Sequence, residues 1–302
     1  MKFVDTTCAV CGEALCERVH ELGDRLYRTS DEVFRLVRCG NCGLARLNPR
    51  PADLAPHYPD RYWHEPSRAE EFYRRLVLRD HVRFALRSVR GRARALDVGC
   101  GTGLFARMLR ETSRDAVRTF GIDVSERAAA EAVRRNGVPV VVAELARAPF
   151  GVLSWDLITM FHVLEHVPEP GAMLDAARLL LAPGGALVAQ VPNLDAWQYR
   201  VMGARWAGLD APRHLYDFRF RDLKRLLEGH GFRVVRVKHF SWRDNAAALA
   251  TSLAPVLEPV ANGGGMGRSL AYGALVAAAL PFAALESAFG CGASVMVEAR
   301  PA

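Results

Sequence analysis

The run Asp97-Val98-Gly99-Cys100-Gly101-Thr102-Gly103 ends an apolar segment in an acid and opens into alternating glycines. Glycine lacks a Cβ, so Gly99, Gly101 and Gly103 can take positive φ and let a ligand approach the backbone. The spacing is not the G-x-G-x-x-G of a dinucleotide fold, and no Lys-Ser/Thr pair follows, so a phosphate cradle is disfavoured. Further on, Asp123 and Glu144 each stand at the tip of a short apolar run, and a carboxylate at such a tip can accept bonds from both hydroxyls of a ribose. A second chemistry sits near the N-terminus. Cys8-x-x-Cys11 and Cys39-x-x-Cys42 each place two thiolates in one turn, and four thiolates close a tetrahedral zinc site with no open position, which makes it structural. Disulfides and a redox C-x-x-C are the alternatives, disfavoured by a reducing context and by the pairing of two such turns. Cys16 and His20 fit less well as substitute ligands. Cys100 and Cys291 read as small buried residues.

A third group is His162, Glu165 and His166, at i, i+3 and i+4, which share one face if the segment is helical. His166 titrates near neutrality and is a candidate general base, against the plainer reading that both histidines pack or cap this turn. Beyond it, Trp206, Asp210, Arg213, His214 and Tyr216 make a loop too polar and aromatic for a plain connector. His214 is the second candidate base, Arg213 a group to fix a substrate anion, and Trp206 and Tyr216 further substrate contacts. Hydrogen bonding that merely holds the loop is the alternative for His214 and Tyr216.

The elements that carry these groups follow from the apolar pattern. Strands at 95–98, 120–123, 140–142, 155–161 and 186–193 alternate with helices at 104–109 and 126–136, an α/β chain whose ligands belong beyond the carboxyl ends of the strands. Asp123 read alone is also a candidate cap for the helix Glu126 to Asn136. In combination and in order, strand-D-x-G-x-G-x-G, strand-Asp, strand-acid, Phe161-His162-Val163-Leu164-Glu165-His166-Val167 and Leu181-Ala182-Pro183-Gly184-Gly185 resemble the class I S-adenosylmethionine-dependent methyltransferases over roughly Arg92 to Phe240. The resemblance implies a Rossmann-like seven-stranded doubly wound sheet, with Phe232–Phe240 and Ala293–Arg300 as an antiparallel edge pair. It implies S-adenosylmethionine as cofactor, its methionine part against Asp97, Gly99 and Gly101. Asp123 would hold its ribose, Glu144 would lie near its adenine amino group, and Phe161 would also contact it. The 162–166 segment is similar to ubiquinone-pathway O-methyltransferases, where a Glu, Glu, His set at this spacing is associated with a divalent metal. His162 replaces the first Glu, which weakens the hard-oxygen character that favours magnesium.

Three further parts surround this core: a zinc ribbon and Pro-rich linker at 1–60, a helical linker at 61–91, and, inside a methyltransferase domain at 92–302, an apolar helical insertion at 241–290. Phe72, Leu76, Phe84 and Leu86 among many arginines predict one amphipathic helix over Ala69 to Arg90. Tyr58, Tyr62 and Trp63 either pack the ribbon on the domain or join a cofactor lid. In the insertion, Ala246 to Val260 and Leu270 to Phe289 read as a helical hairpin. Pro255, Glu258, Pro281 and Glu286 interrupt them, so no transmembrane span is expected, and the apolar faces are left for a hydrophobic acceptor, a homodimer contact or the surface of a membrane.

The 302 residues carry a net charge of +7, almost wholly arginine, the lysines being Lys2, Lys224 and Lys238. The excess is spread out rather than gathered into a basic run with interleaved aromatics, so nucleic acid is not the expected partner. Met1 to Asp24 lacks an apolar core segment, which points to the cytoplasm. The sequence predicts methyl transfer to a small molecule, an oxygen of a sugar-containing or lipophilic biosynthetic intermediate. Two alternatives stand beside it. One is an RNA base methyltransferase reading through the ribbon, although the Asn-Pro-Pro-Tyr type motif of adenine methylation is absent after the fourth strand. The other is a non-catalytic cofactor-binding scaffold.

Overall fold

The structure, a computed structural model, describes residues 2–59, 67–259, 261–262 and 266–302. Its N-terminal part holds β1 (Phe3–Val4), β2 (Cys16–Leu22), β3 (Phe34–Cys39), β4 (Ala45–Leu47) and β5 (Arg50–Pro51). Both cysteine pairs sit in knuckle turns closed by Gly12 N–H on Cys8 O and Gly43 N–H on Cys39 O, with φ of 73° and 78° at the two glycines. The sheet of the ribbon takes its fourth strand from far downstream: its order is β11-β4-β3-β2, where β11 is Tyr216–Asp217. Leu22, Phe34, Leu36 and Leu47 share one core with Leu194, Trp206, Leu209 and Ala211. The ribbon is thus built into the loop that was expected to overhang a substrate cleft.

Two helices follow, α1 (Arg68–Val77) and α2 (Arg79–Leu86), where one was expected. Ser67 caps α1 by accepting from Glu70 N–H. In α2, Val82, Phe84 and Ala85 are buried, whereas Phe72 and Leu76 of α1 are 70% and 48% exposed, so half of the predicted apolar face is not covered. Tyr62 and Trp63 lie outside the described residues.

The rest is a seven-stranded sheet and its helices: β6 (Ala93–Val98), α3 (Leu104–Thr112), β7 (Val117–Asp123), α4 (Glu126–Asn136), β8 (Val140–Val142), β9 (Trp155–Phe161), α5 (Pro170–Leu180), β10 (Leu181–Pro192), α6 (Trp197–Met202), α7 (Phe220–Gly229), β12 (Phe232–Lys238), α8 (Asn245–Leu253), α9 (Met266–Ala288) and β13 (Ser294–Pro301). The order is β12-β13-β10-β9-β6-β7-β8. Strands β6 to β10 run parallel, and β13 is antiparallel to both β10 and β12, the edge arrangement the resemblance implied. Burial on both faces explains the near-continuous apolar runs. Leu96, Ile158 and Leu187 face α5 and α7, while Ala95, Leu157 and Val188 face α2 and α3. Chain order reverses between β6 and β9, which puts a ligand crevice outside their carboxyl ends. Cys100 is buried and packs against Gly121, where a Cβ would come within 2.5 Å of its sulfur, and Cys291 is half-buried.

The insertion forms the expected hairpin, Val276, Ala279 and Ala283 of α9 packing on Ala246 and Ala250 of α8. The segment Ser269–Ala288 is long and apolar enough to cross a membrane by length and composition, with Pro281 inside the helix. Glu286 does not interrupt this outer face, since its carboxylate is buried against the Gln198 side chain at 2.6 Å.

Candidate active site

Gly99, Gly101 and Gly103 have φ of 66°, 52° and 74°. A Cβ on Gly99 would lie 2.8 Å from Val163 Cγ2, and one on Gly103 2.9 Å from Ala132 Cβ, while Gly101 faces open space. The turn therefore needs its glycines for conformation and close packing, and Gly101 leaves its outer side clear. Asp123 accepts from Gly101 N–H through Oδ2 and from Ser125 N–H through Oδ1, each at 2.9 Å. Each oxygen keeps a lone pair for a ligand hydroxyl. The cap of α4 is Ser125, whose Oγ accepts from Ala128 N–H, so Asp123 is not spent on that role. Asp97 accepts from Thr159 Oγ1 at 2.6 Å across the β6 and β9 pair. Burial pushes its carboxyl up to about 7, against that hydroxyl bond and with the Asp123 charge adding to the rise. Phe161 ends β9 with its ring edge-on to Phe105 and His81. Glu144 follows β8, exposed and paired with Arg147 at 3.6 Å. An open glycine beside a carboxylate with both oxygens fixed suits a ribose-bearing cofactor.

The 162–166 segment is a turn, not a helix: His162 is left-handed at φ 55°. Its two histidines consequently meet different partners. His162 Nδ1 lies 3.1 Å from Glu165 Oε1, and Nε2 lies 3.2 Å from Asp244 Oδ1. Burial opposes its charge, but the Asp244 and Glu165 carboxylates outweigh it and bring the imidazole up to about 9. It is a fixed cation at neutral pH. Gln190 Nε2 donates to Asp244 Oδ2 at 2.6 Å, which anchors the carboxylate to the end of β10.

His166 takes the opposite charge state. Burial and the neighbouring His214 lower it to about 4, so it is neutral. Its Nδ1 lies 3.0 Å from both Arg213 O and the Tyr58 hydroxyl. His214 Nδ1 donates to Gly208 O at 2.8 Å, and the two rings meet edge to face at 4.7 Å. The loop is stapled to the turn through Leu215 N–H and Tyr216 N–H, both on Glu165 O. The two candidate bases thus converge from the turn after β9 and the loop before β11.

The three expected substrate contacts are placed elsewhere. Arg213 is fully buried, bonded to Asp24 at 2.7 Å, to Asp210 at 2.6 Å and to His57 O at 3.1 Å, with its guanidinium over the Tyr27 ring. Two carboxylates already occupy it, so it ties ribbon to loop instead of fixing a substrate anion. Tyr216 is buried and donates to Pro168 O at 2.9 Å. Trp206 is buried in the ribbon core with Nε1 donating to Gln198 Oε1 at 3.3 Å. Both support the loop.

In the ribbon, the Sγ atoms of Cys8, Cys11, Cys39 and Cys42 all lie within 4.8 Å of one another. Burial opposes a thiolate at Cys39, yet the N–H groups of Cys42 and Asn41 bring it down to about 6. Four convergent sulfurs suit a tetrahedral ion. His20 is engaged with the Tyr199 hydroxyl at 3.1 Å, away from this role.

Asp244, Gln190, Thr159 and Asp24 were not singled out in the sequence. Each has a long-range partner, and only Asp244, just before an Ala-rich helix, carried a local signal.

The profile of a family described as "Methyltransferase domain" matches residues 69–237, more than half of the chain. The ubiquinone biosynthesis O-methyltransferase of Methylococcus capsulatus is 31% identical over 166 residues, covering 52% of this chain and 68% of that one. That of Burkholderia ambifaria is 28% identical over 171 residues, 53% and 72% of the two chains, and that of Paraburkholderia phymatum 29% over 133 residues, 41% and 56%. Among solved structures, the [4+2]-cyclase SpnF superposes with a TM-score of 0.51 at 24% identity, covering 79% of this chain and 85% of its own. The PH0226 protein of Pyrococcus horikoshii does so with a TM-score of 0.50 at 15% identity, covering 82% and 96%. At these identities the structural likeness speaks for the fold alone. With the sheet order, the glycine cradle and the profile match in agreement, the chain belongs to the methyltransferase-domain family, as a class I S-adenosylmethionine-dependent methyltransferase.

Proposed function

We propose that the chain moves the methyl group of S-adenosylmethionine to a hydroxyl of a small molecule, a sugar-containing or lipophilic biosynthetic intermediate. The observation that carries the reading is the cradle at the carboxyl ends of β6 and β7, where Asp123 holds both oxygens fixed beside the open side of Gly101. In this reading Asp97, Gly99 and Gly101 take the methionine end of the cofactor, Asp123 its ribose hydroxyls, Glu144 the adenine side, and Phe161 closes the β9 side.

A sulfonium carries its own leaving group, so the chain's work is alignment and removal of one proton. The acceptor oxygen attacks the methyl carbon, the carbon–sulfur bond breaks with its electron pair going to sulfur, and the acceptor proton passes to His166 or His214. A carbonyl fixes Nδ1–H on each ring, which leaves Nε2 as the basic atom. His162, cationic between two carboxylates, is the poorer base at neutral pH.

Cys8, Cys11, Cys39 and Cys42 hold a structural zinc, and the reducing cytoplasm keeps such thiolates available. The ribbon acts as a platform, not a nucleic-acid reader; the β11 pairing and the Arg213 ties support this. The exposed outer side of the hairpin is left for a lipophilic acceptor, a second copy or a membrane surface. Transfer of labelled methyl into fractionated cell extract tests the reading. Label in extractable small molecules is the expected result, and label in nuclease-sensitive polymer overturns it in favour of RNA.

A further inference from the structure

The turn after β9 and the loop after β10 gather Glu165, His166 and His214 so that one ligand atom from each lies within 4.8 Å of the others. Among the described residues, Glu165 Oε2 is buried without a hydrogen-bond partner, while Oε1 faces His162. A buried carboxylate oxygen left bare is costly unless a cation or donor meets it. The imidazoles are oriented in the way metal-bound histidines are: His166 Nδ1 is held by Arg213 O and His214 Nδ1 by Gly208 O, and since a carbonyl only accepts, each ring keeps its lone pair on Nε2. His166 is half-buried, which gives the group a route to solvent. This is not the 162/165/166 set implied by the resemblance, because both ring nitrogens of His162 are committed to Glu165 and Asp244.

We propose that Glu165, His166 and His214 form a binding site for a divalent transition metal, held by two imidazoles and one carboxylate with its remaining positions open. Two nitrogen donors select zinc, cobalt, manganese or iron over magnesium, which prefers oxygen. The proposal rests on the methyl-transfer reading for its use: an ion here would take the Nε2 lone pairs of both rings and would supply Lewis acidity that lowers the pKa of an acceptor hydroxyl, in place of proton removal by a free His166 or His214.

The test uses the full chain, stripped of metal, given one equivalent of zinc to fill the cysteine site and then titrated with Co2+. Expected is about one further ion per chain, with visible d–d absorption and no thiolate charge-transfer band. His214→Ala and Glu165→Gln each abolish that absorption while retaining the wild-type circular dichroism. Wild type that takes up no Co2+ beyond the cysteine site overturns the proposal, and so does an unchanged spectrum in both folded variants. Calorimetric binding of S-adenosylhomocysteine, measured on the same samples, separates the two readings. Intact cofactor binding without the cobalt signal sinks the metal site alone, whereas a cobalt signal without cofactor binding sinks the methyl-transfer reading.

Discussion

Replacing Arg213 with methionine removes a cation held between two carboxylates, those of Asp24 and Asp210. Arg213 and Asp24 have side chains with no exposure, and Asp210 is 15% exposed. Removing one member of such a buried set costs about 3–5 kcal/mol, because the remaining charges lose their partner without regaining water. The size can be checked from Asp24 itself. Burial opposes its charge, yet bonds from Arg213 and Thr29 bring its pKa down from 3.8 to about 2. That depression corresponds to roughly 2 kcal/mol of stability, present above the unfolded value and lost as pH falls through about 2. In the variant the sign reverses: both acids then favour the protonated form, so acidification relieves the defect. Urea unfolding at pH 7 is expected to show the variant about 3–5 kcal/mol below wild type, with the gap narrowing at pH 4. A gap under about 1 kcal/mol at pH 7, or one that does not narrow on acidification, would refute the clamp.

Other outcomes follow from the same geometry. Asp123→Ala should weaken S-adenosylmethionine binding by about tenfold or more in calorimetry, the loss of a charge-assisted bond to a hydroxyl, while Ser125 keeps α4 capped and the melting temperature changes little. The His162 imidazole is raised to about 9, so its contribution to stability is present below its ordinary value near 6.5 and is lost as pH rises through about 9. Asp244→Asn should therefore flatten the fall in stability between pH 7 and 9, measured by denaturant titration.

The parts of the molecule that were legible in the sequence are those whose signals are local. The glycine turn, Asp123, Glu126–Asn136 and Trp155–Phe161 are read from residues adjacent in sequence, and their elements appear at or near the expected bounds. The cysteine pairs are also local, each a four-residue turn. What escaped is set by partners distant in sequence. Nothing near Arg213 announces Asp24, and without that partner an arginine in a polar loop resembles an anion-binding group. The i, i+3, i+4 spacing at His162 suggested one helical face, yet the positive φ of His162 directs its ring to Asp244 and leaves His166 to His214. The amphipathic pattern over 69–90 was real in α2, and a break at Leu78 left the apolar side of α1 uncovered.

The ribbon's integration into the loop links the cysteine site to the chemistry. Leu47 N–H donates to Leu215 O, β4 pairs with β11, and Asp24 holds Arg213, whose carbonyl in turn fixes His166. Ribbon folding therefore sets where both candidate bases stand. The cradle proposed for the cofactor, at the ends of β6 and β7, is held by bonds among Gly101, Asp123, Ser125, Asp97 and Thr159, none of them a ribbon residue. Cys11→Ser exchanges the exposed member of the four cysteines and should weaken the zinc site proposed there without opening the methyltransferase core. The expected result is a split: calorimetric affinity for S-adenosylmethionine within about twofold of wild type, with labelled methyl transfer down by about tenfold or more, the effect of displacing a positioned base. Equal losses in binding and transfer would mean that the ribbon stabilises the whole domain without positioning its bases. Unchanged transfer in a zinc-depleted variant would mean that β11 and the Arg213 clamp hold the loop unaided.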